Sequence, residues 1–572
     1  MTMKKARAKV LDPLSNDGIP SIASGVPGFD AVVGGGLPEF SFNLIAGNPG
    51  SGKTTLAQQI MFANASVKRP ALYFSVLGEP TLKMLRYQRG FSFFDPRLVG
   101  TAIQYINLSE EALEQDLTRM LDRIASEVER VSPGMVVVDS FRTMLGRSGD
   151  AVSSGLTNME NFIQRLALNL NAWEVTTLII GQSAEQDQRN PIFTVADSVF
   201  WLSQVTDRNS VVRKMQALKV RGRSSMPGLH TFRITSAGLQ IFPRIPEQQS
   251  ERRPPSMRRL SSGIPGLDEA MGGGVFAGDA VLLGGPAGSG KTTFATQFAA
   301  EGLRVGEAVV IVVFEEYPEE YLARAKARNQ DIAAMIEARN FRLIYLRPLD
   351  LSVDETAAEI FAAVTEIGAT RVVIDSLSGF QIALAPAFRI DFQESLYRLV
   401  GALTSTGVTI FMTTEITSGY PDASLTSERV SFITDDIIVQ RFVEIDGELR
   451  TVLAVPKMRG SKHSHDLLTY IITDQGAVVG GPLRSYRGIL TGSPEFQPQL
   501  ARGGRDGLTD RESAVLETLV RLGATSRDTL AEHVGVQPLE LEATLRRLAL
   551  LGYAVVTRTG GDTYRAIAQV ET

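Results

Sequence analysis

"GNPGSGKTT" at Gly47 to Thr55 governs how the rest of the chain reads. It fits the spacing G-x-x-x-x-G-K-[ST], in which glycines let backbone N–H groups turn inward around phosphate oxygens where a Cβ would clash. In that pattern Lys53 reaches the β and γ phosphates of a nucleotide, and Thr54 offers its hydroxyl to Mg²⁺. The flanks match: the apolar run "FNLIA" precedes the loop and "TLAQQIMFANA" follows it, a buried strand feeding a helix whose N-terminus faces the phosphates. The alternative is a glycine-rich turn with an incidental lysine.

A second copy argues against that alternative. "GPAGSGKTT" at Gly285 to Thr293 sits between "AVLLG" and "TFATQFAAEG". The candidate phosphate seats are therefore Gly47, Asn48, Pro49, Gly50, Ser51, Gly52, Lys53, Thr54 and Thr55 in one half. In the other they are Gly285, Pro286, Ala287, Gly288, Ser289, Gly290, Lys291, Thr292 and Thr293. The phase extends outward. "SGVPGFDAVVGGGLP" at Ser24 returns as "SGIPGLDEAMGGGVF" at Ser262, and the interval from Lys53 to Lys291 is repeated without change from Lys219 to Lys457 and from Arg221 to Arg459. Such a constant phase indicates a duplicated domain. "VVVDS" and "VVIDS" then place Asp139 and Asp375 at the ends of buried runs, where an aspartate either caps a helix or holds Mg²⁺. The phosphate loop in the same repeat favours the metal role, which makes Thr54, Thr292, Asp139 and Asp375 the candidate magnesium residues.

Short β-branched runs alternating with amphipathic stretches such as "NFIQRLALNLNAW" predict an α/β fold with mostly parallel sheets covered on both faces. The expected layout is a first domain at 18–245, a linker at 246–255 ("PEQQSERRPP"), a second domain at 256–491, a linker at 492–506 and a small unit at 507–567. The chain has no cysteine, four histidines and a net charge of -5. That excludes a disulfide framework and a thiolate metal site and argues against a surface coated with nucleic acid. No apolar run is long enough to span a membrane, and "MTMKKARAKVLDPLSNDG" lacks an apolar signal region, so a cytoplasmic protein with no membrane partner is expected.

These residues resemble a known family, the tandem RecA-like ATPases related to the circadian clock protein KaiC. The similarity covers roughly residues 18–491 and is carried by "SSGIPGLDEAMGGG", the Glu315–Glu316 pair, "VVIDS", and the segments "KVRG" and "KMRG". It implies two RecA-like P-loop domains that bind ATP and Mg²⁺ in a homo-hexameric double ring with ATP at the subunit interfaces. By position, Glu315 and Glu316 are similar to the pair that activates water or a hydroxyl, a role a carboxylate beside a γ phosphate can fill. Lys457 and Arg459, with Lys219 and Arg221 in the first repeat, are similar to cations that reach the neighbouring subunit's γ phosphate. On the residues alone, K-x-R-G reads equally as a basic strand end entering a turn.

The first repeat departs from the pattern. The constant interval between the repeats puts Leu77 and Gly78 in the places of Glu315 and Glu316, with Glu79 one position further on. The expectation is that the first repeat binds ATP and hydrolyses it slowly while the second performs most of the chemistry. The family's phosphate-accepting stretch is partly present: "TSERVSFITDD" offers Ser431, beside Phe432 where the resemblance implies a threonine. Autophosphorylation of Ser431 stays open on these grounds, and a two-site cycle is not expected.

Beyond residue 507, two helical stretches, a third opened by Pro538, and "YAVVTRTGGDTYRAI" resemble a winged helix-turn-helix. Its seven arginines and nine acids give it a charge of about -2, and Glu540 and Glu542 fall in the presumed recognition helix, where phosphate would repel them. A protein partner is expected there ahead of DNA. The overall expectation is an ATPase serving as a nucleotide-dependent regulatory ring. The alternative is a RecA-like DNA-dependent motor or a DNA-binding regulator.

Overall fold

The computed structural model describes residues 20–76, 81–114, 116–140, 152–182, 191–207, 210–245, 256–327, 340–346, 351–384, 386–389, 392–416, 433–445 and 447–483, with shorter stretches at 486–487, 495–496, 510–523, 525–536, 541–542, 544–545, 547–548, 554–558 and 562–566.

The first repeat builds a nine-stranded sheet: β1 (Phe42–Gly47), β2 (Ala71–Ser75), β3 (Ile103–Asn107), β4 (Met135–Asp139), β5 (Thr176–Gln182), β6 (Ser198–Asp207), β7 (Ser210–Val220), β8 (His230–Thr235) and β9 (Gly238–Phe242). Its order is β3-β2-β4-β5-β1-β6-β7-β8-β9. The first six are parallel and the last three turn back antiparallel. Parallel strands buried on both faces call for apolar residues at every position, which is why "MVVVD" shows no alternation. The two-residue period survives in what each side chain packs against. Ile45, Tyr73, Val137 and Ile180 face a cluster with Leu56, Ile60 and Met61 of the helix after the loop. Their neighbours Leu44, Leu72, Val136 and Ile179 face Ile124, Leu166 and Leu170 on the other side.

The second repeat has β10 (Ala280–Gly285), β11 (Val309–Val313), β12 (Phe341–Tyr345), β13 (Arg371–Asp375), β14 (Thr409–Glu415), β15 (Asp436–Ile445), β16 (Glu448–Met458), β17 (Leu468–Thr473) and β18 (Gly476–Pro482). The order is β12-β11-β13-β14-β10-β15-β16-β17-β18, the first sheet with nine added to every strand. The expected α/β architecture of two tandem RecA-like P-loop repeats is therefore present. The same glutamine clamp recurs: the Gln59 amide bonds both main-chain groups of Leu239, and the Gln297 amide those of Ala477.

In the C-terminal stretch, helix Asp510–Leu522, helix Arg527–Val534 and strands Thr525–Ser526, Ala554–Arg558 and Asp562–Ala566 are described. Ser526 caps the second helix, accepting the Thr529 N–H. Val515, Leu519, Leu530, Leu541, Leu545 and Leu548 form one apolar core. The expected linker at 246–255 lies outside the described residues, as do Pro538 and Glu540.

Candidate functional site

The phosphate loop of the first repeat leaves the fully buried end of β1 and enters helix Lys53–Asn64. Gly50 has a φ of 76°, which favours glycine, and a Cβ built there would meet no protein atom within 4 Å. Gly288 of the second loop repeats this at 78°. The loop thus needs glycine for its backbone and leaves the space in front of it open. Lys53 is 5% exposed, and its ammonium donates to the Gly47 and Asn48 carbonyls at 2.9 and 2.7 Å. Lys291 does the same to Gly285 and Pro286 at 3.0 and 2.8 Å. Both lysines are folded over the rim of their loops.

Behind the first loop, the Thr54 hydroxyl donates to Asp139 Oδ2 at 2.8 Å. Two oxygens from elements 85 residues apart thus meet beside the phosphate seat. This all-oxygen pair suits a hard cation such as Mg²⁺, and an open glycine loop at a helix N-terminus suits the phosphates. The Tyr73 hydroxyl also donates to Asp139 Oδ2, at 2.7 Å. Burial, and then the Asp139 charge, hold its pKa well above the usual phenol range, so it stays a donor. Nothing in the sequence marked Tyr73 for the site, because an aromatic in "ALYFS" fits a buried strand. Its counterpart in the second repeat is Ile311.

The braces under the loops also differ. Ser289 of the second loop donates to Gln440 Oε1 at 2.9 Å, and its carbonyl accepts the Tyr470 hydroxyl at 2.6 Å. In the first repeat these places hold Leu202 and Phe232, and the Ser51 hydroxyl is buried without a partner among the described residues.

Glu315 follows β11. Its Oε1 accepts the Ser376 hydroxyl at 3.1 Å, and it packs so closely on Gly379 that a Cβ there would collide with it. Ser376 follows Asp375 and caps the next helix, accepting the Gly379 N–H at 3.0 Å. The serine stood in the quoted "VVIDS", but the sequence reading weighed only the aspartate. Glu316 is half-buried beside it. Leu77, Gly78 and Glu79, which hold this position in the first repeat, lie outside the described residues, as do Ser431 and Phe432.

The four K-x-R-G cations are set apart from the loops of their own repeats. Lys219 pairs with Val199 at the start of β6, whereas Gly47 pairs with Leu202, about 10 Å further along the strand. The Lys219 ammonium turns to the Thr194 and Ala196 carbonyls, and Arg221 Nη1 bonds Asp197 at 3.1 Å. Likewise Lys457 donates to the Thr434 carbonyl at 2.6 Å and Arg459 to Asp435 at 3.0 Å. Burial, and then the adjacent arginine, lower the pKa of Lys219 and of Lys457, while Asp197 in one repeat and Asp435 and Asp436 in the other oppose the shift.

Two glycine loops, two nine-stranded sheets of one order and a threonine–aspartate pair behind the first loop define a tandem-repeat nucleotide-binding protein of the P-loop class. A family model described as "ATPase: KaiC" matches residues 22–245 and again 260–484. The chain belongs to the KaiC ATPase family. The circadian clock oscillator protein KaiC of Thermostichus vulcanus is 28% identical over 514 residues, spanning 86% of this chain and 96% of that protein. KaiC of Rippkaea orientalis is 28% identical over 533 residues, spanning 88% and 100%. The circadian clock protein KaiC3 of Synechocystis is 28% identical over 510 residues, spanning 87% and 99%. No helix among the described residues is long and apolar enough to cross a membrane.

Proposed function

We propose that this chain is a Mg-ATP-dependent ATPase that works as a nucleotide-dependent regulatory ring, with ATP in both repeats and most of the hydrolysis in the second. The observation that carries the reading is the placement of Lys219, Arg221, Lys457 and Arg459. They sit at or just past strand ends away from their own loops, which supports a role towards a nucleotide supplied by a neighbouring subunit. This supports a homo-hexamer with ATP between subunits.

In each site the loop N–H groups and the lysine would hold the phosphates, while Thr54 with Asp139, and Thr292 with Asp375, would hold Mg²⁺. The metal would neutralise charge on the β and γ phosphates. Glu316, with Glu315 anchored beside it, orients water and takes its proton. The trans cations offset charge on the γ phosphoryl group as its bond to the β phosphate breaks. Lys291→Ala and Glu316→Gln are expected to remove most turnover, and Lys53→Ala or Glu79→Gln little of it. Steady-state phosphate release decides, and full turnover in Glu316→Gln with none in Glu79→Gln would reverse the assignment.

Ser431 is proposed as an acceptor of the same phosphoryl group. Intact mass after Mg-ATP incubation tests it, and an unchanged mass ends the idea. The C-terminal unit is proposed as a winged helix that binds a protein partner. Glu542 supports this over DNA, since its carboxylate pairs with Arg527 at 3.3 Å and offsets a cation that phosphate would need.

A further inference from the structure

The second repeat carries two carboxylates that the first lacks. Asp279 precedes β10, and Asp436 opens β15 next to it, paired with Val281. Their counterparts in the first repeat are Ser41 and Ser198. Asp435 is common to both repeats, as Asp197, and is fully employed: Oδ1 accepts Arg459 Nη1 at 3.0 Å and Oδ2 accepts the Ala280 N–H at 3.1 Å. Asp436 is 0% exposed, and neither of its carboxylate oxygens makes a hydrogen bond among the described residues; the Arg459 main-chain N–H approaches without meeting bonding geometry. Asp436 pairs with Met458, between the two trans cations in sequence, and Ile437 pairs with Lys457. Arg259 also faces the cluster, but its guanidinium is committed to the Met271 and Gly274 carbonyls, to Ser461 and to the Phe276 ring.

We propose that Asp279 and Asp436 are positioning residues that, with Asp435, form a carboxylate seat controlling how firmly Lys457 and Arg459 are held at the strand edge. The proposal rests on the reading of those two cations as trans-acting. A buried carboxylate and a half-buried one at the starts of neighbouring strands cannot both ionise cheaply. Burial first, then neighbouring aspartates, push Asp279 and Asp436 up to about 7, against the charge of Arg259 on both, the charge of Arg459 on Asp279 and the Arg459 main-chain N–H beside Asp436. Below that pH the pair is protonated, and Arg459 is held by Asp435 alone. Above it, three carboxylates face Lys457, Arg459 and Arg259, and the cations are held back from a neighbour's phosphate. Turnover in the second repeat therefore falls as pH rises through about 7.

The pair also makes stability pH-dependent. An aspartate whose folded pKa is raised takes up a proton on folding between its ordinary value of 3.8 and about 7. Stability is therefore highest below that window and is lost as pH rises through it.

The test uses the full chain with Lys53→Ala, so that only the second site turns over, with Mg²⁺ in excess. Turnover is expected to drop by up to about fivefold from pH 6 to pH 8.5, the size of one exposed ion pair, because the Lys457 and Arg459 head groups stay at the solvent. Asp279→Ser with Asp436→Ser, the pair this fold already carries in its first repeat, should flatten that profile, and Asp436→Glu should restore it. Thermal unfolding without nucleotide gives a second measurement: the serine variant should lose the decline in stability from pH 5 to pH 8. A serine variant whose turnover and unfolding profiles both match the parent overturns the inference. Arg459→Ala with undiminished turnover would instead remove the trans-cation reading on which it rests.

Discussion

At the scale of single residues, Ser376 does two jobs with one hydroxyl: it donates to Glu315 and accepts the Gly379 N–H. The donated bond holds a catalytic candidate in place, and the accepted bond caps a helix. Ser376→Asp separates them, since aspartate is a good cap but has no proton to give and repels Glu315. A hydrogen bond to a charged group is worth about 1.5–3 kcal/mol, so turnover of the second repeat should fall at least tenfold in Ser376→Asp while the unfolding temperature stays near the parent's. Ser376→Thr, which keeps both bonds, should retain turnover. Equal losses of stability and turnover in Ser376→Asp would mean that the serine acts only as a cap. Tyr73 belongs at this scale too. Its bond to Asp139 gives the first site a donor that Ile311 cannot supply in the second, so the two candidate magnesium aspartates have different surroundings.

At the scale of elements, the strand-to-helix loop distinguishes glycines needed by the fold from glycines needed by a ligand. A Cβ on Gly47 would drive into the main-chain carbonyl of Leu202, whereas one on Gly50 would stand in open space. Gly47→Ala is expected to cost about 2–4 kcal/mol of stability. Gly50→Ala should cost only the ~1–2 kcal/mol of left-handed backbone, yet should abolish nucleotide binding because its methyl fills the phosphate seat. Denaturant unfolding and titration with a fluorescent ADP analogue, both in Lys291→Ala chains, separate the two; tight binding by Gly50→Ala would mean that the phosphates lie elsewhere. Elements of this kind were legible in the amino-acid sequence, because a constant repeat phase and short apolar runs report strand, loop and helix directly. That the second sheet repeats the strand order of the first follows from the duplication. What stayed hidden depends on strand pairing: Ser376 meets Glu315 across 61 residues, and Asp436 comes beside Val281 only once β10 and β15 are adjacent. Tyr73 was concealed for another reason, since its ring satisfies the core and only its hydroxyl is used.

At the scale of the whole molecule, the separation of loop and cation turns subunit assembly into a kinetic question. With the first site silenced by Lys53→Ala, Lys291→Ala removes the phosphate lysine but keeps Arg459, and Arg459→Ala does the reverse. Each alone should be almost inactive, the second by roughly 10³-fold if Arg459 acts as an arginine finger. If the cations act in trans within a closed ring, each active interface takes its loop from one subunit and its cation from the next. An interface in a 1:1 co-assembly works when an Arg459→Ala subunit supplies the loop and a Lys291→Ala subunit the arginine. Random assortment makes that about one interface in four, whatever the number of subunits in the ring. Phosphate release should therefore recover to about a quarter of the parent rate. A cation acting on its own subunit's nucleotide predicts no recovery at any mixing ratio, because neither chain then carries a complete site. A recovery that rises and falls with the mixing ratio, peaking at equal amounts, is the signature of a site built from two subunits.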